Sequence, residues 1–258
     1  MARFGNNSKN RFRRTGFTLI DVLVSVSVIA VLIGILLPSL GQVNKTARRV
    51  VCASNIRQIG LGLRSYADTF QGYLPPSVYV PGWANRNSTY RPQEMMRIRH
   101  ARAQDGLWSN SWDGLGRLYF NSDLPAAKIF FCPAHSGEHP FTQYSLSFGD
   151  EPREIISNYQ YRGRAGSDNS RNLDHIIPLE SALVSDGMST KRDFNHQLGM
   201  NVLRGDQSVV WFSDTGRTLW TSLPESGSGG EDNTEQAYAA VLNAWNLLDS
   251  QAPRDGDR

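Results

Sequence analysis

Residues 14–38 read RTGFTLIDVLVSVSVIAVLIGILLP. A basic leader stops at Gly16, an aromatic residue follows at Phe17, and an apolar run begins that holds a single charge, Asp21. From Phe17 to Leu40 the run covers roughly 36 Å at about 1.5 Å per residue. That length crosses a hydrocarbon core of about 30 Å with some tilt. The leader carries Arg3, Lys9, Arg11, Arg13 and Arg14 and no acid, whereas the far flank carries Lys45, Arg48 and Arg49. The bias places the leader on the cytoplasmic side and the rest outside the cytoplasm. Loss of the leader takes the formal charge from +3 to −2, so the basic balance belongs to residues 1–16 and gives no reason to expect nucleic-acid binding.

A secretory signal peptide is cut at small residues after its apolar region. Here no such site follows the run, and the only small residue at a charged boundary is Gly16, before it. The order of basic leader, Gly16, Phe17 and a carboxylate at Asp21 resembles the processing site of type IV prepilins and type II secretion pseudopilins. The resemblance implies cleavage between Gly16 and Phe17 by a prepilin peptidase and methylation of the Phe17 amine. It also implies packing of the apolar helix against other pilin or pseudopilin subunits on an assembly platform. In similar proteins the position of Asp21 is usually Glu, thought to pair with the N-terminal amine of a neighbour. A carboxylate at a helix N-terminus is also favoured by the macrodipole alone. Pro38 falls where many pilins carry proline, and a proline inside a helix often kinks it. Small residues such as Ser25, Ser27 and Gly34 permit close helix approach.

Beyond the run, Cys52, Ile56, Ile59, Leu63, Tyr66 and Phe70 recur at steps of three and four, the apolar face of an amphipathic helix. Gly60 and Gly62 each weaken that helix by about 1 kcal/mol relative to Ala, which implies a bend or close packing there. Gly72 and Pro75–Pro76 end it. The stretch CASNIRQIGLGLRSYADTFQGYLPP is similar to the same region of planctomycete pseudopilin-like proteins.

Residues 73–222 are long enough to bury a core of their own. Strand-like runs fall at Lys128–Cys132, Asn158–Arg162, Ala182–Ser185, Asn201–Arg204 and Ser208–Phe212, separated by turn signals such as Asp113–Gly114 and Asp186–Gly187. The last two runs read as a hairpin around Gly205-Asp206-Gln207. The segment NHQLGMNVLRGDQ resembles the H-x9-D-G signature near the end of planctomycete-type pseudopilins. His196 and Asp206 match it, and Gln207 stands where the glycine is expected. No nucleophile accompanies this pair at a readable spacing, so both are expected to fix hairpin turns by hydrogen bonds and the chain is not expected to be an enzyme. Trp83, Trp108, Trp112, Trp211 and Trp220 serve packing or a carbohydrate platform.

Cys52 lies on the packing face of the helix and Cys132 ends an apolar run. Outside the cytoplasm a disulfide between them can persist, and proteins resembling this one often carry both; two buried thiols serving as small apolar groups is the alternative. CPAHSGEH offers Cys132, His135 and His139 to a metal without completing a familiar zinc spacing. Asp168, Asp206 and Asp214 offer oxygens without a recognisable calcium loop. No metal or other cofactor is expected. SGSGGED reads as a flexible linker. After it, Asn233 and Gln236 suggest a capped start to a helix with Tyr238, Val241, Leu242, Trp245 and Leu248 on one face, docked on the head, and then a disordered tail.

The expected fold class is therefore α+β. Residues 1–16 form a leader, 17–40 a membrane and assembly helix, 41–72 its amphipathic continuation, 73–222 a β-rich head, and 223–258 a linker, helix and tail. The protein is expected in the inner membrane as a single-pass, pseudopilin-like filament subunit in contact with lipid. The alternative is a membrane-anchored protein whose head binds a ligand or glycan. Intact-mass measurement of membrane-extracted protein should find a chain beginning at Phe17 with a methylated amine, and a bulky residue at position 16 should block the cut. A mature chain starting at Met1 or Ala2 contradicts this.

Overall fold

The computed structural model describes residues 18–80, 91–101, 111–149, 153–225 and 235–250. The chain forms two compact units, one ending at Lys45 and one beginning at Thr46. Helix α1 (Leu19–Thr69) supplies the first unit and opens the second. Thr18 starts it with a reciprocal cap. The Asp21 N–H donates to Thr18 Oγ1 at 3.2 Å, while Thr18 N–H and Oγ1 donate to Asp21 Oδ2 at 3.0 and 2.8 Å. This is a capping box with Asp in the place of Glu.

Every residue from 18 to 48 is exposed, and α1 is long and apolar enough to cross a membrane. Its polar side chains are folded back onto the backbone: Ser25, Ser27 and Ser39 each donate to a carbonyl three residues earlier at 2.8 Å. Such bonding keeps hydroxyls satisfied in apolar surroundings. The helix runs as one element through Pro38 and Gly41.

From Cys52 the face changes character. Cys52, Ile56, Ile59, Leu63 and Tyr66 are buried, as the periodicity requires. Phe70 is not; it lies just past the helix end, 43% exposed, and stacks on Tyr66. The end is a left-handed cap: Gln71 has φ 55° and the Gly72 N–H donates to the Ala67 carbonyl at 2.8 Å. Gly60 marks close packing rather than a bend. A Cβ there would come within 2.8 Å of Leu203 Cδ1.

After the short pieces β1 (Arg97–Arg99), α2 (Gly116–Phe120), α3 (Phe141–Tyr144) and β2 (Ile155–Ile156), the main sheet follows. It is an antiparallel meander of β3 (Tyr159–Tyr161), β4 (Ala182–Asp186), β5 (Gly199–Arg204) and β6 (Val209–Ser213). One side of this sheet shares a core with α1 through Tyr159, Tyr161, Val184 and Leu203. The other, through Ala182, Met200, Val202 and Phe212, packs on α5 (Glu235–Ser250), which follows the short α4 (Thr218–Ser222). With both sides covered, every residue of β4 and β5 is buried. The C-terminal helix is thus part of the second unit. Its buried stripe is Ala237, Ala240, Val241, Ala244, Trp245 and Leu248, while Tyr238 and Leu242 lie at its margin. The layout is α+β.

Four of the five strand-like runs are strands. The exception is Lys128–Cys132, where Ala127–Phe130 is a 3-10 turn. Pro125 and Pro133 bracket it and cannot donate to a ladder. Asn158 provides the backbone partners instead: its N–H donates to the Phe130 carbonyl at 3.0 Å, and its Oδ1 accepts from Cys132 N–H at 3.1 Å. The strands β1 and β2 carry no period-2 pattern long enough to be read.

The β5–β6 hairpin closes between Arg204 and Ser208, with Gly205, Asp206 and Gln207 in the loop. Gln207 sits at φ 67°, where a three-residue loop favours glycine. Replacing Gln207 with Gly should remove about 1–2 kcal/mol of left-handed strain against a backbone entropy cost of about 0.5–1 kcal/mol. Gln207→Gly should therefore raise the unfolding midpoint of the detergent-solubilised protein slightly. A clear loss of stability contradicts it.

Candidate metal centre

Four elements converge beneath the helix. Cys52 comes from α1, Cys132 from the segment after the 3-10 turn, Asp186 from the last position of β4, and His196 from the connection to β5. One ligand atom from each lies within 4.8 Å of all the others. Relative exposures are 0, 4, 0 and 8% in that order.

The register explains the convergence. Asp186 pairs with Tyr159 across β3–β4, and cross-strand partners share a face. Both therefore meet the helix at Cys52, whose thiol donates to Asp186 Oδ1 at 2.8 Å and lies 3.4 Å from the Tyr159 hydroxyl. His196 approaches from the side. Its Nε2 lies 3.6 Å from Cys132 Sγ and 3.5 Å from Asp186 Oδ2. The ring meets Trp211 edge-on, and Arg49 lies over the Trp211 ring at 3.5 Å.

Three asparagines hold the ligands. Asn201 donates to Asp186 Oδ2 from its backbone at 2.6 Å and from its side chain at 3.2 Å. Asn195 donates to Asp186 Oδ1 and to the Asn158 carbonyl. Asn158 fixes Cys132 through its side-chain Oδ1, which accepts from the Cys132 N–H. Buried polar groups without such partners would destabilise the fold.

Burial pushes the Cys52 thiol well up, with the neighbouring Cys132 and Asp186 adding to the effect. Burial would also raise Cys132, but hydrogen bonds to Cys52 and His196 outweigh it and the thiol is lowered. For His196, burial favours the neutral ring, and Cys132 and Asp186 overcome it to raise its pKa. One imidazole nitrogen, Nε2, faces both the thiol and the carboxylate. In a nucleophile–base–acid relay the carboxylate holds the other nitrogen. Here the atoms point at a common centre.

Cys52 and Cys132 are brought together, and both are free thiols. His196 belongs to this cluster and not to the hairpin turn, which corrects its assigned role: the connection before β5 carries it to Asp186. Asp206 does lie in the turn, accepting from Ser208 N–H at 2.9 Å. His135 and His139 do not join Cys132; His135 Nδ1 meets Asn195 Oδ1 and His139 Nδ1 meets the Tyr144 hydroxyl. Asp168 accepts from Ser170 N–H, and Asp214 accepts from Leu219 and Trp220 N–H, so these acids fix separate turns. Gly16, Phe17, Trp83, Trp108, Asn233 and the tail lie outside the described residues. Trp112, Trp211 and Trp220 each have a cation over the ring, from Arg99, Arg49 and Arg217.

Asp186 went unrecognised in the sequence, where Asp186–Gly187 reads only as a turn. Its signal is an acid closing the fully buried, mostly apolar strand ALVSD.

A family model described as Protein of unknown function (DUF1559) matches residues 42–176, just over half of the chain. The chain belongs to that family. DUF1559 is typical of planctomycete prepilin-like proteins. The matched span includes Cys52 and Cys132 and stops before Asp186 and His196. No curated protein and no solved structure matches the chain.

Asp186 is the most connected member of the cluster. Asp186→Ala leaves Cys52, Asn201 and His196 without their shared acceptor, and removing one partner of a buried pair costs about 3–5 kcal/mol. Denaturant unfolding of the full chain in detergent, followed by tryptophan fluorescence, should show that loss. An unchanged midpoint contradicts it.

Proposed function

We propose that this DUF1559 chain is a pseudopilin-like subunit of a type II secretion or type IV pilus-like filament, cut and N-methylated by a prepilin peptidase. The observation that carries the reading is the division of labour along α1. Its large aliphatic side chains from Leu19 to Leu40 are all exposed, and from Cys52 onward the same helix buries one face in the head. A free apolar helix of this length needs lipid or other helices around it. Membership of a family typical of prepilin-like proteins supports the same reading. In this reading the chain waits in the inner membrane with its head outside the cytoplasm. Its action is assembly, with the peptidase, other subunits and an assembly platform as partners.

The alternative, an anchored protein whose aromatic head binds a ligand or glycan, is less well supported because Trp112 is buried and Trp112, Trp211 and Trp220 all have arginines over their rings.

Asp21 separates assembly from anchoring. Asp21→Ala should still enter the membrane, since removing a charge makes the run more apolar. Filament yield after shearing should collapse, because a neighbour's buried amine loses a partner worth about 3–5 kcal/mol. Thr18→Ala breaks the cap, at about 1 kcal/mol, but keeps the charge and should still form filaments. Asp21→Glu should also assemble. Wild-type yield from Asp21→Ala, or an equal loss from Thr18→Ala, would reduce Asp21 to a helix cap.

A further inference from the structure

We propose that Cys52, Cys132, Asp186 and His196 bind one borderline-soft divalent cation of the zinc type, tying α1 to the sheet independently of any filament role. Two sulfurs, an imidazole nitrogen and a carboxylate oxygen form a complete tetrahedral donor set. The sulfurs argue against calcium or magnesium, which take oxygen ligands.

The spacing agrees. Around a tetrahedral ion with Zn–S of about 2.3 Å and Zn–N and Zn–O of about 2.0–2.2 Å, sulfur and nitrogen lie about 3.6 Å apart and nitrogen and oxygen about 3.4 Å. Cys132 Sγ to His196 Nε2 is 3.6 Å, and His196 Nε2 to Asp186 Oδ2 is 3.5 Å. The Cys52 thiol donates its proton to the other carboxylate oxygen, Asp186 Oδ1, at 2.8 Å. On binding, the thiols release their protons to water and the sulfurs take the ion.

Two thiolates and a carboxylate against a divalent ion leave one net negative charge. Asn201, Asn195 and the Tyr159 hydroxyl surround it with hydrogen-bond partners. Four protein ligands and deep burial describe a closed, structural site, without the open position that a catalytic zinc keeps. The ligands come from segments far apart in sequence, so the ion would restrain long loops and add to the stability of the head. A disulfide between Cys52 and Cys132 would consume both sulfur ligands, so the two arrangements are exclusive.

The full chain, purified in detergent under anaerobic conditions, should carry about one zinc per chain by elemental mass spectrometry. After reduction and chelation, titration with Co(II) should give a sulfur-to-cobalt charge-transfer band and the intense visible bands of tetrahedral cobalt. These should saturate near one equivalent and be bleached by Zn(II). Cys132→Ser and His196→Ala should weaken Co(II) binding by more than the about 10–100-fold typical of losing a residue that only orients a ligand. Asp206→Ala, in the hairpin turn, should bind as the wild type does. The wild-type titration decides the matter without relying on any variant to fold. Absence of thiolate–cobalt bands in the reduced wild type would overturn the proposal. So would a Cys52–Cys132 disulfide in protein taken directly from cells.

Discussion

The head is organised against one stripe of α1. Cys52, Ile56, Ile59, Leu63 and Tyr66 present a continuous apolar surface, and Gly60 removes the one side chain that would hold Leu203 away. A fully buried side chain of this size stabilises by about 1.5–3 kcal/mol. The stripe therefore supplies much of the force that keeps the sheet on the helix. The second cover, α5, makes the sheet a buried middle layer. That is why β4 and β5 lack the in-and-out alternation of half-exposed strands.

Burial of that kind makes each polar group at the helix–sheet junction expensive unless it is paired. Asp186 lies there with its carboxylate wholly removed from water. The asparagines at 158, 195 and 201 are best understood as consequences. Each occupies a position where a backbone group or ligand atom needs a short, neutral, two-sided partner. The cluster is thus a polar network inside an apolar joint. Such networks favour one arrangement of the core over many, because a partly satisfied network is costly.

What could be read from the sequence followed the strength of local periodicity. The step of three and four residues through Cys52–Tyr66 specifies a helix face whatever surrounds it, and four strands stood out as short apolar runs between turn signals. Lys128–Cys132 looked the same by composition, yet flanking prolines and the side chain of Asn158 made it a 3-10 turn. A pattern within five residues cannot register a partner 26 residues away. The same limit hid the cluster. Cys52, Cys132 and His196 were each noticeable alone, but their meeting depends on the Tyr159–Asp186 register and the path of the β4–β5 connection. Asp206 was legible because its hydrogen bond is to Ser208, two residues on.

The cap at the start of α1 sets the terms on which a neighbour can reach Asp21. The carboxylate already accepts two hydrogen bonds from Thr18 and holds the first turn closed. An incoming ammonium group does not find a bare anion waiting. It enters a substitution, in which donors from the chain itself are traded for a donor from outside. The net driving force of such a swap is a difference between two similar terms. A helix tip built this way would join a filament strongly only where lipid or neighbouring helices keep water from returning to the released groups.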